Sequence, residues 1–196
     1  MTDFREQWQR DENIRIENIL PEDTANRWAE TILRCPLRSY LQHDEHIQCF
    51  MWRCTFTPEN TPPELTEAAE WVNNTLPETL SKLTGRKIGA PQPPSLPIAV
   101  FRKGSYLDTH NDFGAGPSVA WVLGLTREPW THADGGCLEF MADQHSDTVI
   151  ESRLPGFNTL DVYTVHPRAR WHRVSIVRKH AHRITISSWL PIMDGA

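Results

Sequence analysis

From Ile98 to Leu190 the chain is a succession of short β-forming runs, and no other feature restricts its fold as strongly. The runs are 98–102, 106–109, 118–125, 137–141, 148–151, 159–165, 172–177 and 183–190. Gly, Pro, Asn or Asp punctuate several of the gaps between them. Eight short strands in such quick order predict a sandwich or a small barrel, such as a jelly roll.

The first half reads differently. Ile14, Ile16, Ile19 and Leu20 predict a short strand that runs into Pro21. A helix is expected over 21–34, with proline in its first turn and Glu22 and Asp23 at the positive end of the helix dipole. The alternating, aromatic-rich stretch 47–57 predicts a strand. Leu65, Ala68, Ala69, Val72, Leu76, Leu80 and Leu83 fall at helical spacing, so a helix is expected over 63–83, interrupted at Pro77. Four prolines mark 89–97 as a loop. The expected architecture is mainly β with flanking helices. The N-terminal helices (about 1–97) pack on one sheet of a β core (about 98–190), and no linker divides the 196 residues into two domains.

Composition excludes several functions. Net charge is −5 and no run of five or more basic residues occurs, which argues against nucleic-acid binding. No window approaches the ~20 apolar residues of a membrane span, and the charged start has no apolar signal-peptide core. Cys35, Cys49, Cys54 and Cys137 show neither CxxC nor a disulfide-scaffold spacing, so a reducing cytoplasm is the expected setting.

Within the β region stands His110-Asn111-Asp112, followed far downstream by His172 and then Arg183. On an extended backbone i and i+2 point to one side, so a single strand end can present His110 and Asp112 together. Two imidazoles and a carboxylate hold one face of a non-heme Fe(II) and leave the other open, although the same donors also suit Mn, Co, Ni and Zn. The histidines and cysteines at His43, His46, Cys49 and Cys54 fit no zinc template well. In the last run Arg183, Thr185, Ser187 and Trp189 share one face, while Ile184, Ile186, Ser188 and Leu190 share the other. The first face offers a fixed fork of donors followed by hydroxyls, which suits a carboxylate.

These residues together resemble the prolyl-4-hydroxylase-like family of Fe(II)/2-oxoglutarate-dependent dioxygenases. His110-Asn111-Asp112 is similar to its HxD, Gly135-Gly136-Cys137 to the Gly-Gly turn and strand that follow, and Trp171-His172-Arg173-Val174 to its distal His-x-Val. The run from Arg183 to Leu190 resembles its closing strand. The resemblance implies a double-stranded β-helix, a cupin-like jelly-roll variant. It implies Fe(II) on His110, Asp112 and His172, and 2-oxoglutarate held by Arg183 and Thr185. It also implies O2 as oxidant, with ascorbate as an accessory reductant. The implied activity is hydroxylation of an unactivated C–H bond in an amino-acid-like or peptidyl substrate, prolyl residues included, with release of succinate and CO2. The alternatives are a hydroxylase of small metabolites in a biosynthetic pathway and a non-catalytic cupin-like module that binds a metal or ligand.

The chain departs from the family at two tyrosines. One position falls on Phe101, for which Tyr106 is the substitute expected to reach 2-oxoglutarate. The other falls near Leu123, which with Trp121 would form an apolar wall for the cosubstrate. Asp112 matters as well, because related iron halogenases lack this carboxylate and its presence implies hydroxylation. For the substrate, the loop 126–134 with Arg127, Trp130 and His132 is expected to cover the pocket. Arg168 and Arg170 are candidates to meet an anionic group.

Overall fold

Each of the eight runs in the second half becomes a strand. A computed structural model of the chain describes residues 4–43, 47–112, 114, 116–165 and 170–193. The strands are β4 (Leu96–Phe101), β5 (Tyr106–His110), β6 (Ser118–Leu125), β7 (Leu138–Met141), β8 (Val149–Arg153), β9 (Phe157–Thr164), β10 (His172–Val174) and β11 (Arg183–Pro191). Three more precede them, β1 (Asn13–Glu17), β2 (Arg38–His43) and β3 (Gln48–Phe56).

All pairings are antiparallel, and the order is β1-β9-β6-β11-β4-β3-β5-β10-β7-β8, with β2 on the outer side of β3. The sheet curls into the expected jelly roll. Strands β9, β6, β11 and β4 form one layer and β5, β10, β7 and β8 the other, and β3 joins them by pairing with both β4 and β5. Side chains tie the two ends of the curl together. Asp161 on β9 accepts hydrogen bonds from Arg15 on β1 and Arg153 on β8, and Arg153 also donates to Asn13 and to the Ile14 carbonyl. Two arginines on one buried carboxylate satisfy charges that burial would otherwise penalise.

The helices are α1 (Phe4–Asp11), α2 (Glu22–Arg34), α3 (Thr66–Glu70) and α4 (Leu76–Thr84). They pack on the outer face of the larger layer. Ala25, Trp28, Ala29 and Ile32 of α2, with Ala68, Val72, Leu76 and Leu80, share a core with Trp121, Leu123, Leu160, Val162, Ile184 and Ile186. The interruption expected at Pro77 takes a milder form. Proline lacks an N–H and crowds the carbonyl four residues back. Between α3 and α4 the backbone widens into a π-turn over Trp71–Thr75, and Leu76 donates to the Trp71 carbonyl five residues back. The helix therefore continues through proline with one turn loosened.

Two elements were not expected from the sequence. Helix α1 buries only Trp8. Strand β2 is mostly exposed and gains its backbone partners from β3. Among the described residues no helix is long and apolar enough to cross a membrane.

The expected wall of Trp121 and Leu123 is corrected here. Both belong to the core under the helices and are fully buried there. They pair with Ser188 and Ile186, on the face opposite Arg183 and Thr185. Alternation puts their neighbours Ala120 and Val122 on the inner face instead.

Candidate metal centre and its cavity

His110 and His172 face each other across the β5–β10 pair, because His172 lies directly opposite His110 in the register. Val174 lies opposite Leu107, so β5 spends one more residue than β10 over this interval. This β-bulge turns both Leu107 and His110 inward, which strict alternation forbids. Asp112 follows just past the strand end. Its Oδ1 lies 3.5 Å from His110 Nε2 and its Oδ2 lies 3.4 Å from His172 Nε2. The imidazole centroids are 4.2 Å apart.

Backbone carbonyls orient both rings. His110 Nδ1 lies 2.8 Å from the Asp108 carbonyl and His172 Nδ1 lies 2.8 Å from the Arg170 carbonyl. A carbonyl only accepts, so each Nδ1 carries the proton and each Nε2 presents its lone pair to the cluster. Burial, with His110 adding to it, pushes His172 down to about 4, so it is neutral and ready to ligate at pH 7. Burial pushes the Asp112 carboxyl up, but in acid, where the imidazoles are protonated, hydrogen bonding from His110 and the charge of His172 outweigh it and hold the group below the usual carboxylate range. Among the described residues this is the cluster of three whose donor atoms converge, all within 4.8 Å of one another. The donor set fits a divalent metal of the Fe(II) type.

The triad opens on a cavity of about 710 Å³. Arg183 and Thr185 line it from β11, with Ala120, Val122, Leu138 and Tyr163 as further walls. Arg183 is 5% exposed, and its guanidinium lies over the Phe101 ring at 4.7 Å. Its Nε has no hydrogen-bond partner, and among the described residues no carboxylate forms an ion pair with it. Burial lowers its pKa to about 10. A desolvated guanidinium with an unused donor fits a bound carboxylate. Phe101, which lacks the expected hydroxyl, thus supports the arginine from below.

The turn before β7 keeps this floor tight. Gly135 has φ +66° and ψ −154°, a region only glycine enters freely. A Cβ there would lie 1.9 Å from the Ile176 carbonyl oxygen. Gly136 lets Trp130 and the Arg183 side chain pack close. Gly135→Ala is expected to cost about 3 kcal/mol or more in unfolding free energy, measured by denaturant titration.

Other expected site residues lie elsewhere. Tyr106 pairs with Phe50 on the outward face of β5 and does not line the cavity, because the bulge separates its direction from that of His110. Trp130 is buried outside the cavity, and its indole N–H donates to the Gly135 carbonyl at 2.6 Å. Arg127 braces α2 through Glu30 at 2.9 Å. Arg170 donates to the Asp11 carbonyl at the end of α1, and its own carbonyl orients His172. His132 belongs to a surface turn beside Cys137 and Ser152. Arg168 and His46 lie outside the described residues.

One residue at the centre was not anticipated. Tyr163 on β9 points inward and is 4% exposed, with its hydroxyl 3.0 Å from His172 Nε2. Burial and the nearby Asp112 and Asp161 raise its pKa well above the ordinary value, so the hydroxyl stays protonated and donates. Trp189 also stands at the rim, where its indole helps hold the Asp112 charge.

A family model for the 2OG-Fe(II) oxygenase superfamily matches residues 96–191, which span β4 to β11. Among curated proteins no sequence matches the chain. Solved structures with the same fold include a Pseudomonas putida prolyl-4-hydroxylase (TM-score 0.72, 17% identity, 96% of this chain and 97% of that one). A prolyl hydroxylase from Trichoplax adhaerens, in complex with a hypoxia inducible factor oxygen degradation domain peptide fragment, aligns at TM-score 0.72 and 15% identity, over 96% of this chain and 87% of that one. A 2OG-Fe(II) oxygenase family oxidoreductase from Burkholderia pseudomallei aligns at 0.69 and 16%, over 99% and 92%. At these identities the likeness is one of fold.

Proposed function

The chain belongs to the 2OG-Fe(II) oxygenase superfamily, and from that premise we propose that it hydroxylates an unactivated C–H bond of an amino-acid-like or peptidyl substrate. It is an Fe(II)- and 2-oxoglutarate-dependent dioxygenase. The observation that carries the reading is a pairing at one cavity. Two unprotonated imidazole nitrogens and a carboxylate converge at one place, and a buried arginine with an unused donor lies at another.

In this reading His110 Nε2, His172 Nε2 and Asp112 hold the iron, and Arg183 with Thr185 holds the far carboxylate of 2-oxoglutarate. When bound, iron and cosubstrate supply the oxidising chemistry, converting O2 and 2-oxoglutarate to succinate and CO2 and transferring one oxygen atom to the substrate. The protein's own part is placement. The Asp108 and Arg170 carbonyls keep both imidazoles in the ligating tautomer. Ala120, Val122 and Leu138 keep the cosubstrate wall apolar. Asp112 fills the ligand position that a halogenase leaves for chloride, which supports hydroxylation. We take the helical support and the jelly roll to act as one domain, since they share one core. None of the four cysteines is in a disulfide, in keeping with a reducing cytoplasm.

Anaerobic addition of Fe(II) and 2-oxoglutarate should give a weak visible charge-transfer band. Admission of O2 should then release succinate, with one oxygen atom added to an accepted substrate. Absence of both the band and succinate would defeat the assignment. Tyr163 gives a finer check. Its hydroxyl holds the lone pair that the metal would use, and a neutral hydrogen bond contributes about 1 kcal/mol. Tyr163→Phe is therefore expected to tighten metal binding about fivefold, read by anaerobic titration with Mn(II). Weaker binding would instead place the hydroxyl among the groups that support the loaded site.

A further inference from the structure

The β2–β3 hairpin lays a second cationic surface along the cavity. The strand register sets inner-face side chains in rows, with Thr185 beside Ala99, Ala99 beside Arg53 and Arg53 beside Arg38. Residues directly opposite on antiparallel strands project from the same face. Arg53 and Arg38 thus form the outer end of a row that begins at Thr185, within the proposed cosubstrate site.

Arg53 lines the cavity, and its guanidinium carbon lies 3.3 Å from the centroid of the Tyr40 ring. Tyr40 in turn donates its hydroxyl to Gln42 Oε1 at 2.6 Å. Stacking sets the plane of the guanidinium and leaves its N–H edge available for a planar acceptor. Among the described residues neither arginine forms an ion pair with a carboxylate. Like charges directly opposite on paired strands are destabilising, yet among the described residues no acid relieves this pair. The one acidic side chain among the described residues that line the cavity is Asp112, and it is engaged by His110 and His172.

An unrelieved, preorganised cation on the cavity wall calls for an anion, and Arg183 already serves the cosubstrate in the reading above. We propose that Arg53, reinforced by Arg38, binds a carboxylate of the primary substrate. The substrate is accordingly a free amino acid or similar small carboxylic acid, not a residue within a peptide. This inference rests on the hydroxylase reading and narrows it.

The test supplies Fe(II)-loaded protein with 2-oxoglutarate, O2 and one compound at a time. The compounds are the protein L-amino acids and L-pipecolate, their carboxamides, and prolyl peptides capped at both ends or ending in a free carboxylate. Succinate and oxygen-bearing products are measured. At least one free acid should gain an oxygen atom, its carboxamide should not, and Arg53→Gln should raise the KM for that acid about tenfold or more. Arg53→Lys should raise it less, and the thermal midpoint of both variants should stay at that of the parent, since Arg53 is exposed. Oxygen transfer to carboxamides or capped peptides overturns the carboxylate anchor while hydroxylation stands. A KM untouched by Arg53→Gln does the same, as does a preference for peptides with a free C-terminus over all free acids. Succinate release with no oxygenated product from any compound overturns both the anchor and the hydroxylase reading.

Discussion

His172→Ala is expected to abolish iron binding and all succinate release. Two of the three proposed ligand atoms would remain, and neither His110 nor Asp112 has a neighbour among the described residues that could replace the third. Loss of a partner that merely orients a ligand typically costs 10–100-fold in metal affinity, so loss of the ligand itself should exceed about 100-fold. The variant also loses the Tyr163 hydrogen bond and the close ring contact with His110. Some stability goes with them, on the order of 1–3 kcal/mol, and a thermal melt must accompany the metal titration. Fe(II) binding of parental strength in a folded variant would mean that the metal sits elsewhere.

Arg183→Met is expected to separate affinity from stability. The KM for 2-oxoglutarate should rise about 100-fold, the scale of a charge-assisted bidentate contact. The metal-free protein should melt at the parental temperature or above it. Arg183 is a buried cation whose Nε is unpartnered and whose pKa burial lowers to about 10. Replacing such a group with an apolar side chain of similar length removes a desolvation cost and retains contact with Phe101. A large drop in the melting temperature with little change in KM would give Arg183 a structural role, through the attraction of the nearby Asp161 charge, and not that of a cosubstrate ligand.

The residues differ in how openly the sequence announces their places. The alternation of Arg183, Thr185 and Ser187 with Ile184 and Ile186 survives intact because β11 packs one face on helices and opens the other to the cavity. Strand β9 carries no such signal. It is buried on both faces, so Asp161 and Tyr163 look like chance polar residues in an apolar run. Trp121 and Leu123 misled for a related reason, since β6 is nearly buried throughout and its apolar residues do not say which face meets the helices. Tyr106 misled because counting back from His110 assumes unbroken alternation, and the bulge in β5 breaks it. Strand β2 had too little apolar character to be seen at all, and Arg53 therefore stood without its neighbours Tyr40 and Arg38.

The jelly-roll rhythm, the candidate triad of His110, Asp112 and His172, and the face that carries Arg183 are legible in the order of residues alone. Those features follow from side-chain direction along a single strand, which covalent geometry sets locally. That Tyr163 meets His172, that Tyr106 turns away, and that Arg53 and Arg38 stand in one row with Thr185 follows from how the strands pair. Register, bulges and strand neighbours arise from pairing between segments far apart in the chain, where a shift of one residue reverses every face.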